Sequence, residues 1–321
     1  MSAPKASVVI LTFNAGPGLG DLLGRLAAQR TDFEYEVLVV ASGSKDGTPE
    51  LARRHGAAVH RIPHEDFDHG AARNLGASPA AGEYVAFVVQ DALPVDDSWL
   101  AAMIEDLDRD AAVAGVYGRQ IPHPGSSPLA RALVNDWPTA ALERREQYAG
   151  PRYRDLPPAA RRSLAAFDNV SSCVRRSVWE SIPFERTPFG EDLRWGKNAG
   201  ERGHKLVYEP RSVVLHSHER GALYDLRRPY AEGLLLMDLF GLAPTPNLAR
   251  LLLNALRTMA HLYLRLRREG KGEISPPASL LLAARYAICA QTGAYLAVRR
   301  HRRRGESGVS AKLHRFLGRG V

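Results

Sequence analysis

The sequence predicts an α/β protein with a mainly parallel central sheet flanked by helices, followed by a C-terminal helical extension. Three observations carry this. Short apolar, β-branched runs recur at residues 7–13, 36–40, 57–62, 84–89 and 113–117. Between them lie helix-length amphipathic stretches, as at 19–29, where Leu22, Leu23 and Leu26 share one face. Strands joined by such crossovers run parallel and are covered on both faces. From residue 222 the strand pattern ceases, and 248–266 and 280–298 read as long helices whose apolar faces are interleaved with arginines.

Each element has a local reason. Thr48-Pro49 reads as an N-cap followed by proline at the first helical position, opening a helix over 50–55. Residues 70–77 read as a short helix that His69 is placed to cap, and 97–108 as a longer one. Between 122 and 165 the pattern lapses into Pro, Arg and Gly with weak periodicity, a variable excursion rather than core. Order returns with a strand at 169–174, a helix after Glu191, and strands at 206–208 and 213–216.

At 321 residues, 45% apolar and 24% charged, the chain is an ordinary globular protein able to bury a sizeable core. Its net charge is +8, but residues 299–321 hold eight Lys/Arg against one acid. The body is therefore nearly neutral, and bulk charge gives no reason to expect a nucleic-acid partner. Cys173 and Cys289 offer neither a disulfide framework nor zinc-type spacing, which fits a reduced, cytoplasmic compartment. The N-terminal residues lack the pattern of a signal peptide. The best membrane-spanning candidate, 278–298, is interrupted by Arg285 and Gln291, which argues against a span.

Candidate chemistry gathers where apolar strands end. Thr12-Phe13-Asn14 follows the first strand, at the sheet edge where α/β proteins hold nucleotides. Gly16, Gly18 and Gly20 do not match the dinucleotide-binding spacing, and no acidic residue ends the second strand. Ser42, Ser44 and Asp46 lie in the next loop, either a plain turn or a second ligand loop. Arg73 offers a diphosphate paired donors and Asn74 can read a base or sugar; a plain surface arginine is the bland alternative. Asp91, after Gln90, closes an apolar strand, where an unpaired buried carboxylate is costly. A divalent ion bridging it to a diphosphate would supply the counter-charge, whereas an ordinary turn aspartate would not need one. Glu191 and Asp192 open a helix whose positive end favours ionised carboxylates, the form a general base requires, or they are an acidic first turn without chemistry. Trp195, one turn on, either stacks on a sugar or packs in the core. His216 and His218 alternate across a strand, so only one faces a given side.

In order along the chain, Ser42-Gly-Ser-Lys-Asp-Gly-Thr48, Phe67-Asp-His-Gly…Arg73-Asn-Leu-Gly76, Gln90-Asp-Ala-Leu-Pro94, Phe167-Asp-Asn-Val-Ser-Ser172 and Gly190-Glu-Asp-Leu-Arg-Trp-Gly-Lys197 resemble family 2 glycosyltransferases of the GT-A fold. The nearest resemblance is to bacterial rhamnosyltransferase-like members, over about two thirds of the chain. Two departures stand out: Ala41 where the family usually has aspartate, and Val89-Gln90-Asp91 in place of its Asp-x-Asp metal motif.

The resemblance implies an inverting transfer of a sugar, rhamnose or a related deoxyhexose, from a nucleoside diphosphate to a glycan or lipid-linked hydroxyl. Thr12, Asn14, Ser42, Ser44, Asp46, Arg73, Asn74 and Gln90 are then donor-binding, with dTDP-rhamnose the favoured donor. Asp192, with Glu191 beside it, is the catalytic base, and Asn169 and Trp195 lie on the acceptor side. Asp91 and His216, rather than His218, hold Mg²⁺ or Mn²⁺. The implied organisation is a transferase domain over 1–220, with its nucleotide-sugar half at 1–120 and its acceptor half at 121–220. A helical extension over 221–304 and a basic tail over 305–321 follow. The apolar, arginine-flanked helices suggest a peripheral place on anionic membrane, at the inner face of the plasma membrane. The rival reading is a sugar-nucleotide-binding scaffold of the same fold that has lost activity, motivated by Ala41 and Val89.

Overall fold

The computed structural model describes residues 3–187, 189–270, 272–303, 314 and 316–318; most of the expected tail lies outside them. The chain forms two compact units. The first is Met1–Ile121 with Pro138–His216, and the second is Pro122–Trp137 with Ser217–Val321. Part of the expected excursion, 122–137, thus belongs with the C-terminal helices rather than with the sheet.

The first unit is built on one sheet of β1 (Ala6–Thr12), β2 (Tyr35–Ser42), β3 (Ala58–Ile62), β4 (Tyr84–Val89), β5 (Leu93–Pro94), β6 (Val113–Ile121), β7 (Arg145–Gln147), β8 (Ser171–Arg175) and β9 (Lys205–Leu215). The order is β3-β2-β1-β4-β8-β6-β9-β5, with β7 also on β9. The β3-β2-β1-β4 half is parallel, as the alternation of strands and helices predicts. The other half is not uniformly so. Strand β8 is antiparallel to both β4 and β6, β6 and β9 pair in parallel, and β5 and β7 are antiparallel to β9, so the sheet is mixed, with its longest pairings parallel. The reason is connectivity: β8 enters after the long excursion, which frees it to reverse. That excursion also supplies β7, and the two short strands expected at 206–208 and 213–216 are one strand, β9.

Helices α1 (Gly18–Ala27), α2 (Thr48–Arg54), α3 (His69–Ala77), α4 (Trp99–Arg109), α6 (Pro158–Leu164), α7 (Arg176–Ser181) and α8 (Glu191–Glu201) complete this unit; α5 (Pro128–Val134) belongs to the second. Alternation along β1 divides the core. Val8 and Ile10 pack with Leu19, Leu22 and Leu26 of α1 and Met103 and Leu107 of α4. Val9 faces a second cluster with Phe87, Phe167, Phe184 and Trp195. Two caps differ from expectation. Gly47, with a left-handed backbone, precedes α2, so Thr48 is its first residue. Asp68, not His69, caps α3 by accepting the Ala71 N–H at 2.9 Å.

The start and seat of α8 depend on two glycines. Gly190 takes φ +76°, which turns the chain sharply into Glu191 and Asp192. Gly196 sits so close to the neighbouring chain that an added Cβ would fall 2.2 Å from the Ala165 carbonyl oxygen.

The second unit is helical: α5, α9 (Ala222–Phe240), α10 (Leu248–Glu269) and α11 (Pro276–Arg302). Its core joins Ala132, Leu262, Leu266 and Ala283. Asp225, buried on α9, pairs with Arg285 of α11 at 3.2 Å, and Asp136 receives both Arg265 and His261. Among the described residues α11 is the one helix long and apolar enough to cross a membrane. Its small side chains, Ala283, Ala287, Ala290, Ala294 and Ala297, are buried within the unit.

Replacing Gly196 with alanine should destabilise the first unit. Overpacking against backbone costs about 1–3 kcal/mol, which exceeds the roughly 1 kcal/mol that alanine gains in helix propensity. Urea unfolding followed by near-UV circular dichroism reads the shift; an unchanged or raised midpoint would show that α8 can move off Ala165.

Candidate active site

The loops after β1, β2 and β4 are joined to one another. The Phe13 N–H donates to Gln90 Oε1 at 2.8 Å, and Gln90 Nε2 returns a bond to the Phe13 carbonyl at 3.2 Å. The Asn14 N–H donates to Ser44 Oγ, Asn14 Oδ1 accepts the Lys45 N–H, and the Gly16 N–H donates to Asp46 Oδ2 at 2.9 Å. Asn14 adopts φ +45°, a left-handed conformation that asparagine tolerates better than most residues. Thr48 holds the Asp46 carboxyl below its ordinary pKa range by donating its hydroxyl. Thr12 and Ser42 are buried and bond strand backbone, to Val40 O and Thr12 O respectively.

Several expected donor contacts are therefore first contacts within the edge itself. Asn14, Ser44, Asp46 and Gln90 keep a surface position on it, whereas Thr12 and Ser42 lie beneath. Asn74 departs further: it donates to Phe184 O and accepts from Trp179 Nε1 and Phe184 N, so its amide is engaged in tethering α3 to the 179–184 segment rather than held out toward a base or sugar. Sequence reasoning missed Phe13 and His64, whose rings stack at 4.2 Å on this edge with Phe13 exposed. An aromatic in a polar loop was the available signal.

Behind the edge lies a buried charged cluster. Arg73 of α3 is buried and reaches Glu191 at the start of α8, Nε to Oε1 at 3.3 Å, with a second contact to Asn169 O at 3.4 Å. Asn169 is also buried: it donates to Glu191 at 3.3 Å and accepts from Ser172 Oγ at 2.9 Å. Neither side chain is presented to solvent, which corrects the expectation of Arg73 on the diphosphate and Asn169 on the acceptor. Trp195 is corrected likewise. It is 1% exposed, packs on Phe167 and Phe184, and donates its Nε1 to Ile182 O.

The cluster sets two neighbouring carboxyls apart. Burial alone would raise Glu191, but the Arg73 guanidinium and His69 more than offset it and hold Glu191 below its usual range. Asp192, half-buried, moves the other way: burial, then the negative charges of Glu191 and Asp168, push it up to about 7. The helix N-terminus was expected to keep it ionised. Desolvation and two adjacent carboxylates outweigh the dipole here. Asp168 is a third missed residue; it stood inside a noted motif, but only the fold brings it to Asp192.

Asp168 also leads to the candidate metal ligands. Its Oδ2 accepts from Gln120 Nε2 at 2.8 Å, which fixes the Gln120 amide with Oε1 toward His216 Nδ1, 2.9 Å away. His216 Nδ1 then donates to that oxygen, which makes Nε2 the lone-pair nitrogen of the neutral imidazole. That Nε2 lies 4.0 Å from Asp91 Oδ1, beyond hydrogen-bond range. Two donors each about 2.1 Å from one ion lie about 3–4.2 Å apart, so the pair has the spacing of ligands to a shared cation. Asp91 itself is exposed, which removes the burial cost the sequence reading assigned to it. His218 falls in the second unit.

Residues 7–161 match the family described as Glycosyl transferase family 2. The chain is similar to the O-antigen chain rhamnosyltransferase RfbN of Salmonella typhimurium, 28% identical over 234 residues and covering 71% of each protein. It is 26% identical to the O-antigen chain rhamnosyltransferase WbaN of Salmonella anatum, over 72% of this chain and 71% of the relative. Among solved structures it resembles the mannosyltransferase PcManGT from Pyrobaculum calidifontis in complex with GDP-Man and Mn²⁺, with 20% identity and a TM-score of 0.52 over 98% of this chain and 79% of that one. It also resembles S. aureus TarS 1–349 in complex with UDP-GlcNAc, with 16% identity and a TM-score of 0.53 over 93% and 91%. The matched segment contains the interlocked strand-end loops and α3, and the shared fold extends to the rest of the sheet: residues 7–161 belong to glycosyltransferase family 2, and the protein is a glycosyltransferase of the GT-A fold.

Proposed function

We propose that the protein transfers rhamnose, or a related deoxyhexose, from a nucleoside-diphosphate donor to a hydroxyl of a glycan or lipid-linked acceptor in the cytoplasm, with inversion at the anomeric carbon. The observation that carries the mechanism is the pair of adjacent carboxyls driven apart in pKa, Glu191 downward and Asp192 up to about 7. A base poised near neutral pH takes a proton efficiently, and Asp192 is the one of the two that solvent reaches. The acceptor hydroxyl attacks the anomeric carbon and passes its proton to Asp192, while the bond from that carbon to the diphosphate oxygen breaks and its electrons leave with the diphosphate. Glu191 acts as a fixed negative neighbour, kept ionised by Arg73, and that role replaces the leaving-group contact first expected of Arg73.

Asp91 and His216 would hold the divalent cation, and a mixed carboxylate–imidazole pair suits Mn²⁺ better than Mg²⁺. When bound, such an ion neutralises charge on the diphosphate. Gln120, itself held by Asp168, would keep the His216 ring oriented for it. The rhamnosyltransferase relatives support dTDP-rhamnose as donor.

A donor-hydrolysis panel tests the reading. Release of nucleoside diphosphate should be fastest with dTDP-rhamnose; preference for UDP-glucose or UDP-N-acetylglucosamine would remove the donor, and no release from any donor would favour a binding scaffold.

The base should appear in the pH profile. Asp192 is protonated below its pKa, so kcat/KM should fall roughly tenfold per unit as pH drops below about 7 and level off above it. Glu191→Gln removes a negative neighbour and should move this acid limb to lower pH. Asp192→Asn should lower kcat by about 10²–10⁴. A limb that Glu191→Gln leaves in place would detach it from Asp192.

Gln120→Leu keeps approximate volume but frees the His216 ring. Mn²⁺ affinity, read by calorimetry without donor, should fall about 10–100-fold. Unchanged affinity would mean that Gln120 does not orient a ligand.

A further inference from the structure

The second unit presents an apolar stripe that its own core does not use. On α10, Leu248, Leu252 and Leu256 are 62%, 63% and 60% exposed along its first half, while Leu262 and Leu266, farther along the helix, are buried in the unit's core. The helix is thus anchored by its C-terminal turns, with Leu248, Leu252 and Leu256 outward over its first half, where a surface helix normally turns charged residues. Along the segment that carries these leucines the chain's own charge has one sign. No Asp or Glu occurs between Asp238 and Glu269, and Arg250, Arg257 and Arg268 are exposed on α10. The first leucine of the stripe, Leu248, also lines a cavity of about 660 Å³ with Tyr295, Arg299, Arg302 and Arg303 of the α11 end. Three exposed arginines and the N-terminal turn of a 22-residue helix therefore meet beside the apolar row.

We infer that this surface docks the protein on an anionic lipid bilayer, with the α10 leucines entering the apolar boundary and the Arg299–Arg302–Arg303 basin receiving lipid phosphates. A protein partner would have to offer a long apolar face bordered by acids. A bilayer with anionic headgroups supplies both in the required juxtaposition. The inference rests on the second unit alone and holds whichever sugar the first unit moves.

Flotation of the full chain with vesicles tests it. Wild type should float with phosphatidylglycerol/phosphatidylcholine vesicles at low salt and be released at high salt or on phosphatidylcholine alone. Leu252→Ser with Leu256→Ser should weaken binding by on the order of tenfold per leucine. Arg299→Gln with Arg302→Gln and Arg303→Gln should weaken it by about 100-fold. These residues are exposed, so a circular dichroism spectrum like that of wild type is expected of each variant. Failure of wild type to float on anionic vesicles overturns the inference. So does undiminished binding by the leucine variant that is lost when the chain is cut after Arg303, which would assign binding to the tail. A wild-type dimer that the leucine substitutions make monomeric, with no vesicle binding, would assign the stripe to a second copy of the chain.

Discussion

The buried ion pair between Arg73 and Glu191 is the constraint on which the rest of the site depends. Two charges removed from water impose a desolvation cost, and each is tolerable only because the other is there. The pair ties α3, which packs against β1 and β2, to the first turn of α8. Asn169 completes it from the turn before β8 by accepting from Arg73 and donating to Glu191. Because the guanidinium keeps Glu191 ionised, the adjacent Asp192 meets a fixed negative charge, and its own proton affinity rises. A structural ion pair thus adds to the rise that burial of Asp192 begins.

A second line of polar contacts runs from Asp168 through Gln120 to His216. Its members come from the turn before β8, from β6 and from the residue after β9, neighbours in the mixed half of the sheet. That reversal of β8 has a chemical consequence. An all-parallel sheet would present only strand C-termini at this edge, whereas the antiparallel β8 brings its N-terminal end, with Asp168 and Asn169, among the C-terminal ends of β1, β4 and β6. The Asp168 carboxylate from an N-terminal strand end meets the Gln120 amide and, through it, the His216 imidazole, and the same Asp168 adjoins Asp192.

The interlocking of the three loops explains why so many polar residues there face one another. Backbone N–H groups beyond a strand end have no ladder partner and need one. Gln90, Ser44, Asn14 and Asp46 supply it, which makes the edge rigid and leaves its outer face, with Phe13 against His64, for a ligand.

Sequence alone determined the parallel half of the sheet, because an apolar run followed by a helix-length crossover has one compact arrangement. It also located Glu191-Asp192 and Asp91, since a carboxylate closing an apolar segment or opening a helix stands out in one dimension. What it could not decide was direction and facing. Strand β8 follows a stretch without periodicity, so nothing local records that it runs backwards. Trp195, Asn74 and Asn169 have the residue types of ligand contacts, and whether such side chains point outward or complete the core depends on what packs over them. The ionisation of Asp192 was likewise decided only in three dimensions: the helix dipole is written in the local sequence, but the burial and the distant Asp168 that override it exist only once the sheet has assembled.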